Sequence, residues 1–104
     1  MIYHITTPEI WKVYANEEQY EASSLKEEGF IHCSTEVQIK PVLERYFMAI
    51  PEICILYLNE AILGDTLRYE PSTNDEIYPH IYGSIPKKAI ERVVYIKQPF
   101  TNLP

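Results

Sequence analysis

At 104 residues and 46% hydrophobic composition, the chain can build one hydrophobic core but not two, and it is too apolar to remain disordered. Nine Lys and Arg against 15 Asp and Glu give a net charge of −6, which argues against a nucleic-acid or anionic-lipid partner held by clustered cations. No apolar run approaches the roughly 18 residues of a membrane span, and "MIYHITTPEIW" has neither the basic start nor the long apolar middle of a secretory signal, so a cytoplasmic protein is expected.

Residues 2–6 read as a short strand. Thr7 and Pro8 then open a helix over 8–15, with Thr7 as its cap and Pro8 at the first helical position. Ile10, Val13 and Tyr14 give that helix an apolar side, with Trp11 at its edge. The polar stretch 16–28 holds a brief strand around Tyr20 and a helical turn from Ser24 to Glu28, closed by Gly29. Phe30–Ser34 form the next strand.

Thr35 and Gln38 match the S/T-x-x-Q capping pattern, so a helix begins at Glu36. Ile39, Val42, Leu43, Tyr46, Phe47 and Ile50 fall on one helical face. Pro41 lies beyond the first turn counted from Thr35. Either the helix kinks there, or its regular part starts near Lys40. Pro51 ends it.

"ICILYL", 53–58, is an uninterrupted apolar run and reads as a central strand covered on both faces. "NEAILGD" is a turn with one helical turn, "LRYE" a short strand, and "PSTND" (71–75) a polar loop. Strands follow over 77–85 and 91–97. Five to six short strands with two to three helices in irregular order make an α+β single domain with a mixed or split β-sheet, not a doubly wound parallel fold.

Alternation along strands assigns faces. His4 and Thr6 lie together, opposite Tyr3 and Ile5. His32 and Ser34 lie opposite Ile31 and Cys33. Tyr78, His80, Tyr82 and Ser84 share one side of 77–85, against Ile77, Pro79, Ile81 and Ile85. Each histidine thus stands on the polar face of a strand, and the three converge in one cleft if those strands are neighbours. The competing reading makes each a half-buried histidine bonded to nearby backbone. No C-x-x-C, H-E-x-x-H or glycine-rich phosphate loop occurs, so no metal is expected. Cys33 and Cys54 read as free thiols acting as small hydrophobes.

"IYHIT", "EEGFIHCST" with Gln38, "RYF", "LRYEPS" and "YPHIYG", in this order, resemble the bacterial family called domain of unknown function 952. That family is similar in fold to the ADP-ribosyltransferase-like proteins, which bind NAD in the cleft of a split sheet. The resemblance implies that His4 is the first-strand histidine holding a ribose hydroxyl. It makes "FIHCS" (His32, Ser34) the second motif and "PHIYG" (His80, Tyr82) the third. Many such transferases carry a glutamate in the third motif; here His80 stands there, with Glu70 and Glu76 on nearby segments.

The expectation is therefore a transferase or hydrolase acting on NAD or on an ADP-ribosyl- or phosphoryl-bearing small molecule. His32 and His80 would be catalytic. His4, Thr6, Ser34, Arg68, Tyr78 and Tyr82 would bind substrate: His4 and Ser34, with His32 and His80, would hold hydroxyls or phosphate oxygens, Tyr78 and Tyr82 would stack, and Arg68 would pair with a pyrophosphate. The alternatives are a non-catalytic metabolite-binding module of the same fold, or a partner-binding domain with a tyrosine-rich interface.

Overall fold

In the computed structural model, which describes residues 1–104, the core strand of the sequence is also the centre of the main sheet. β1 (Ile2–Thr6), β4 (Glu52–Leu58) and β8 (Ile90–Lys97) form an antiparallel sheet in the order β1-β4-β8. His4 is opposite Leu56 and Thr6 opposite Cys54. β4 is buried on both faces because two layers of apolar side chains close over it. Cys54, Leu56 and Leu58 face one cluster with Ile2, Trp11 and Tyr20, while Ile53 and Ile55 face another with Tyr3, Ile39 and Leu43.

A second antiparallel sheet has the order β3-β6-β5, from β3 (Ile31–His32), β6 (Ile77–Ile81) and β5 (Leu67–Pro71). It meets the first through a single bridge: Tyr3 and Ser34 exchange backbone hydrogen bonds at 2.9 and 2.7 Å. The two sheets therefore diverge from that point. A third ladder pairs β2 (Gln19–Tyr20) with β7 (Ile85–Pro86). The fold is α+β, with eight short strands and four helices where fewer of each were expected.

The helices are α1 (Pro8–Tyr14), α2 (Ser23–Glu28), α3 (Ile39–Tyr46) and α4 (Glu60–Leu63). In α1 the side turned to the core is Trp11 and Tyr14, continued by Ala15 at its end; Tyr14 faces inward as expected, while Ile10 and Val13 are exposed and Trp11 takes their place. The bulkier ring removes more apolar area from water than the aliphatic pair would. Gln38 Oε1 accepts from Thr35 N at 3.0 Å, as the capping pattern required. Residues 36–38 form a 3₁₀ turn, and the regular helix starts at Ile39. Pro41 then falls within the first turn of α3, where no amide is needed, so no kink results. The helix stops at Tyr46, and Tyr46 itself is exposed.

The expected strand 77–85 is two elements. β6 ends at Ile81, the chain bends through 82–84, and β7 departs to pair with β2. The single strand that the alternation assumed therefore ends at Ile81. Ile77, placed on the apolar side, is exposed, and Tyr78, placed on the polar side, is buried.

Candidate functional site

Where the two sheets diverge they leave a cleft of about 550 Å³, within the range that holds a small ligand. β1 supplies His4, the β3 segment His32 and Ser34, and β6 Tyr78. Helix α2 adds Ser24 and Glu28, α3 adds Arg45 and Tyr46, and the loop before β6 adds Ser72 and Thr73.

His4 borders this cleft with both ring nitrogens already engaged. Nδ1–H donates to the His32 carbonyl at 2.7 Å, since a carbonyl can only accept. That leaves Nε2 as acceptor for the Tyr20 hydroxyl at 2.9 Å. Burial lowers the His4 pKa to about 4, with the His32 backbone hydrogen bond opposing the shift. Burial likewise pushes the Tyr20 phenol up to about 12. A neutral imidazole and a neutral phenol thus lock the cleft wall to the core. The polar face of β1 is interior because Tyr20 comes from β2 to cover it.

His32 is half exposed and bonds Glu28 Oε2 through Nε2 at 3.0 Å. Glu28 closes α2, and Gly29 follows with φ of 92°, a left-handed cap that turns the chain toward Phe30. That turn sets the helix end beside the next strand, so the carboxylate reaches the ring four residues on. Glu28 is the one carboxylate lining the cleft, and Arg45 is its one fixed cation. Arg45 Nη1 donates to the Tyr78 hydroxyl at 3.4 Å, and its guanidinium lies 5.8 Å from the Tyr46 ring centre. The Tyr46 hydroxyl is 3.1 Å from Thr73 Oγ1.

A second polar cluster lies on β5 and β6. Glu70 Oε1 accepts from the Tyr82 hydroxyl at 2.7 Å and from His80 Nδ1 at 2.9 Å. Those two hydrogen bonds hold the Glu70 carboxyl below the usual carboxylate range. The Arg68 guanidinium sits 5.0 Å from the Tyr82 ring centre. His80 is buried, stacked on Phe30 at 4.1 Å between ring centres, and its ring centre lies 5.5 Å from that of His32.

The chain matches the family described as protein of unknown function, DUF952, over residues 5–93. It belongs to that family. Its fold matches the crystal structure of protein CC0527 from Caulobacter crescentus with a TM-score of 0.84, at 23% identity, over 92% of this chain and 85% of that one. The solution NMR structure of CC0527 matches with a TM-score of 0.80, also at 23% identity, over 92% and 84% of the two chains. These likenesses concern fold alone. No curated protein matches the chain.

Against this DUF952 geometry the expected site residues divide. His4, His32, Ser34 and Tyr78 line the cleft together. His80, Arg68 and Tyr82 do not line it; they form the Glu70 cluster behind His32, because β6 continues past Tyr78 along the second sheet. Thr6 is buried and also stays off the cleft, being covered with His4 under β2. The ribose-hydroxyl role expected of His4 meets a ring whose nitrogens are both committed. Glu76 is held by Gln38 Nε2 at 2.8 Å, so neither it nor Glu70 reaches the cleft; Glu28 does. Glu28, Arg45 and Tyr46 were missed as site residues. The available signals were the four-residue spacing of Glu28 from His32 and the "RYF" segment that holds Arg45 and Tyr46.

Cys33 and Cys54 are free and buried. No helix is long and apolar enough to cross a membrane.

Proposed function

We propose that this protein binds a nucleotide-type small molecule, of the NAD or ADP-ribosyl class, in the cleft between its two sheets. The observation that carries this reading is the meeting of His32, Ser34, Arg45 and Tyr78 on one wall system of ligand size. Arg45 offers charge-assisted hydrogen bonds to a phosphate oxygen, with the Ser72 and Thr73 side chains nearby. The exposed Tyr46 gives ring surface for a base, and buried Tyr78 holds Arg45 through its hydroxyl. His32, Ser24 and Ser34 give hydrogen-bonding groups for ribose hydroxyls.

The residues fit NAD in kind: one cation, aromatic faces and hydroxyl-binding groups around about 550 Å³. NAD would supply a nicotinamide leaving group and a ribose on which positive charge develops. The Glu28 carboxylate is positioned to stabilise that charge electrostatically, and its hydrogen bond to His32 orients the imidazole toward the same space. The resemblance of the family to ADP-ribosyltransferase-like proteins supports this chemistry, as does the split between the sheets. A binding module without catalysis is the second reading. It is favoured by His4, whose two nitrogens are occupied, and by His80, which lies off the cleft.

Incubation with NAD, followed by chromatography for free nicotinamide, separates the two. Release that falls in Glu28→Gln and His32→Ala supports the transferase or hydrolase reading. Binding of NAD or ADP-ribose without release supports the module, and absence of binding at millimolar concentration removes both.

A further inference from the structure

β8, at eight residues the longest strand, closes one end of the β1-β4-β8 sheet. The register shows which way its backbone points. Gln98 N donates to Pro51 O at 2.9 Å, continuing the ladder between β4 and β8 by one pair. Antiparallel ladders alternate bonded and non-bonded pairs. Arg92, Val94 and Ile96 therefore bond to β4, while Val93, Tyr95 and Lys97 turn their N–H and C=O groups outward. The opposite edge has the matching phase: it requires Tyr3 to point away from β4, and Tyr3 exchanges both its backbone bonds with Ser34. No backbone bond from elsewhere in the chain reaches Val93, Tyr95 or Lys97. Tyr95 and Lys97 are exposed, and Val93 is half-buried.

An edge with unpaired amides is a template for another strand, and proteins that keep it single blunt it with a central charge, a proline or a bulge. Here residues 93–96 carry neither charge nor proline, and the bulge at Glu91 lies near one end. The edge is also complementary to itself. A two-fold axis at Val94 sets Val93 opposite Tyr95 of a second copy, so outward amides meet outward amides. The same register sets Glu91 opposite Lys97, and symmetry makes each pair twice. Glu91 gives Oε2 to Asn59 Nδ2 at 2.7 Å and keeps Oε1 for the lysine. Axes at the neighbouring outward residues leave the charges unmatched: at Val93, Lys97 faces Ala89, and at Tyr95 it faces Val93.

We propose that two copies of this protein pair edge to edge through β8, antiparallel about a two-fold axis at Val94, joining their three-stranded sheets into one continuous sheet. The pairing is independent of the nucleotide reading, since no residue of β8 lines the cleft.

Sedimentation equilibrium of the full chain from micromolar to millimolar concentration reads the mass, and amide exchange followed by NMR reads the edge. The mass rises with concentration to that of two chains. The amides of Val93 and Tyr95 exchange fast in dilute protein and become protected as the mass rises, while those of Val94 and Ile96 are protected throughout. Glu91→Lys alone sets lysine against lysine, and Lys97→Glu alone sets glutamate against glutamate, so each weakens association about tenfold. Mixed in equal amounts, the two variants match at both positions and associate as the wild type does, which also shows that neither has unfolded. The mass of one chain at every concentration overturns the proposal. So does a dimer in which Val93 and Tyr95 still exchange fast. Single variants that associate as tightly as the wild type, or a mixture that restores nothing, overturn the Val94 register. Protection of these amides by an added peptide of residues 90–98, in a protein that stays monomeric, assigns the edge to an extended segment of another chain and overturns the second copy as its occupant.

Discussion

His4 is buried with both nitrogens bonded, and that arrangement has a measurable pH signature. Its folded pKa of about 4 lies below the ordinary 6.5. Between those values the unfolded chain takes up a proton at this position that the folded chain refuses. Stability contributed by neutral His4 is therefore fully present above about pH 6.5 and is lost as the pH falls toward 4. At about 1.4 kcal/mol per pH unit, the gap amounts to about 3 kcal/mol, a large fraction of a small domain's total. Exchange of His4→Gln removes the titration while keeping a polar side chain there. The variant is less stable at pH 7.5, because the fit to Tyr20 and the His32 carbonyl is lost. Its further decline on going to pH 4 is smaller than the wild type's by about 3 kcal/mol, and groups titrating in both proteins cancel in the comparison. Urea unfolding followed by far-UV circular dichroism at half-unit pH steps measures both curves. Parallel curves from pH 7.5 to 4 would refute the claim that His4 is held neutral in the interior.

Tyr20→Phe leaves the Nε2 lone pair of His4 without its donor and costs about 1–3 kcal/mol in the same unfolding assay. An unchanged midpoint contradicts the bond. Arg45→Gln weakens ADP-ribose binding about 10- to 100-fold by calorimetry, while Arg68→Gln, aimed at a residue off the cleft, leaves it within about twofold. The reverse ranking returns the anion role to Arg68. Burial pushes the Cys33 thiol up, and that of Cys54 up to about 12, so a thiol-specific disulfide reagent at pH 8 labels neither in the folded protein and both after unfolding. Rapid labelling of the folded chain places a thiol at the surface.

The apolar run 53–58 could be read directly because a strand buried on both sides needs no partner to declare itself. The Thr35–Gln38 cap was readable for a similar reason: its hydrogen bonds close within four residues. His4 was harder. Alternation put it correctly with Thr6 and against Tyr3 and Ile5, but it cannot say what covers a face. Here β2 covers it with Tyr20, so a polar face became an interior hydrogen-bonded pair. The run 77–85 misled because an alternating pattern continues through a bend. Past Ile81 the chain leaves for β7, yet His80 and Tyr82 still meet on Glu70 as grouped; Tyr78 is the one that parts from them, into the cleft wall. Glu28 and Arg45 reach the cleft through the packing of α2 and α3 around it, and the local signals that mark them, the spacing from His32 and the "RYF" segment, do not say where those helices pack. The α1 face was misread for a simpler reason: one tryptophan outweighs two aliphatic residues when only one side can be buried.

A backbone-amide NMR titration with ADP-ribose up to millimolar concentration tests ligand binding in the cleft most directly. Saturable shifts are expected at residues 28–34, at Arg45 and Tyr46, and at 72–78, with little change along β8. Shifts confined to the far side of the sheet, or none at all, would contradict a nucleotide-type ligand in this cleft.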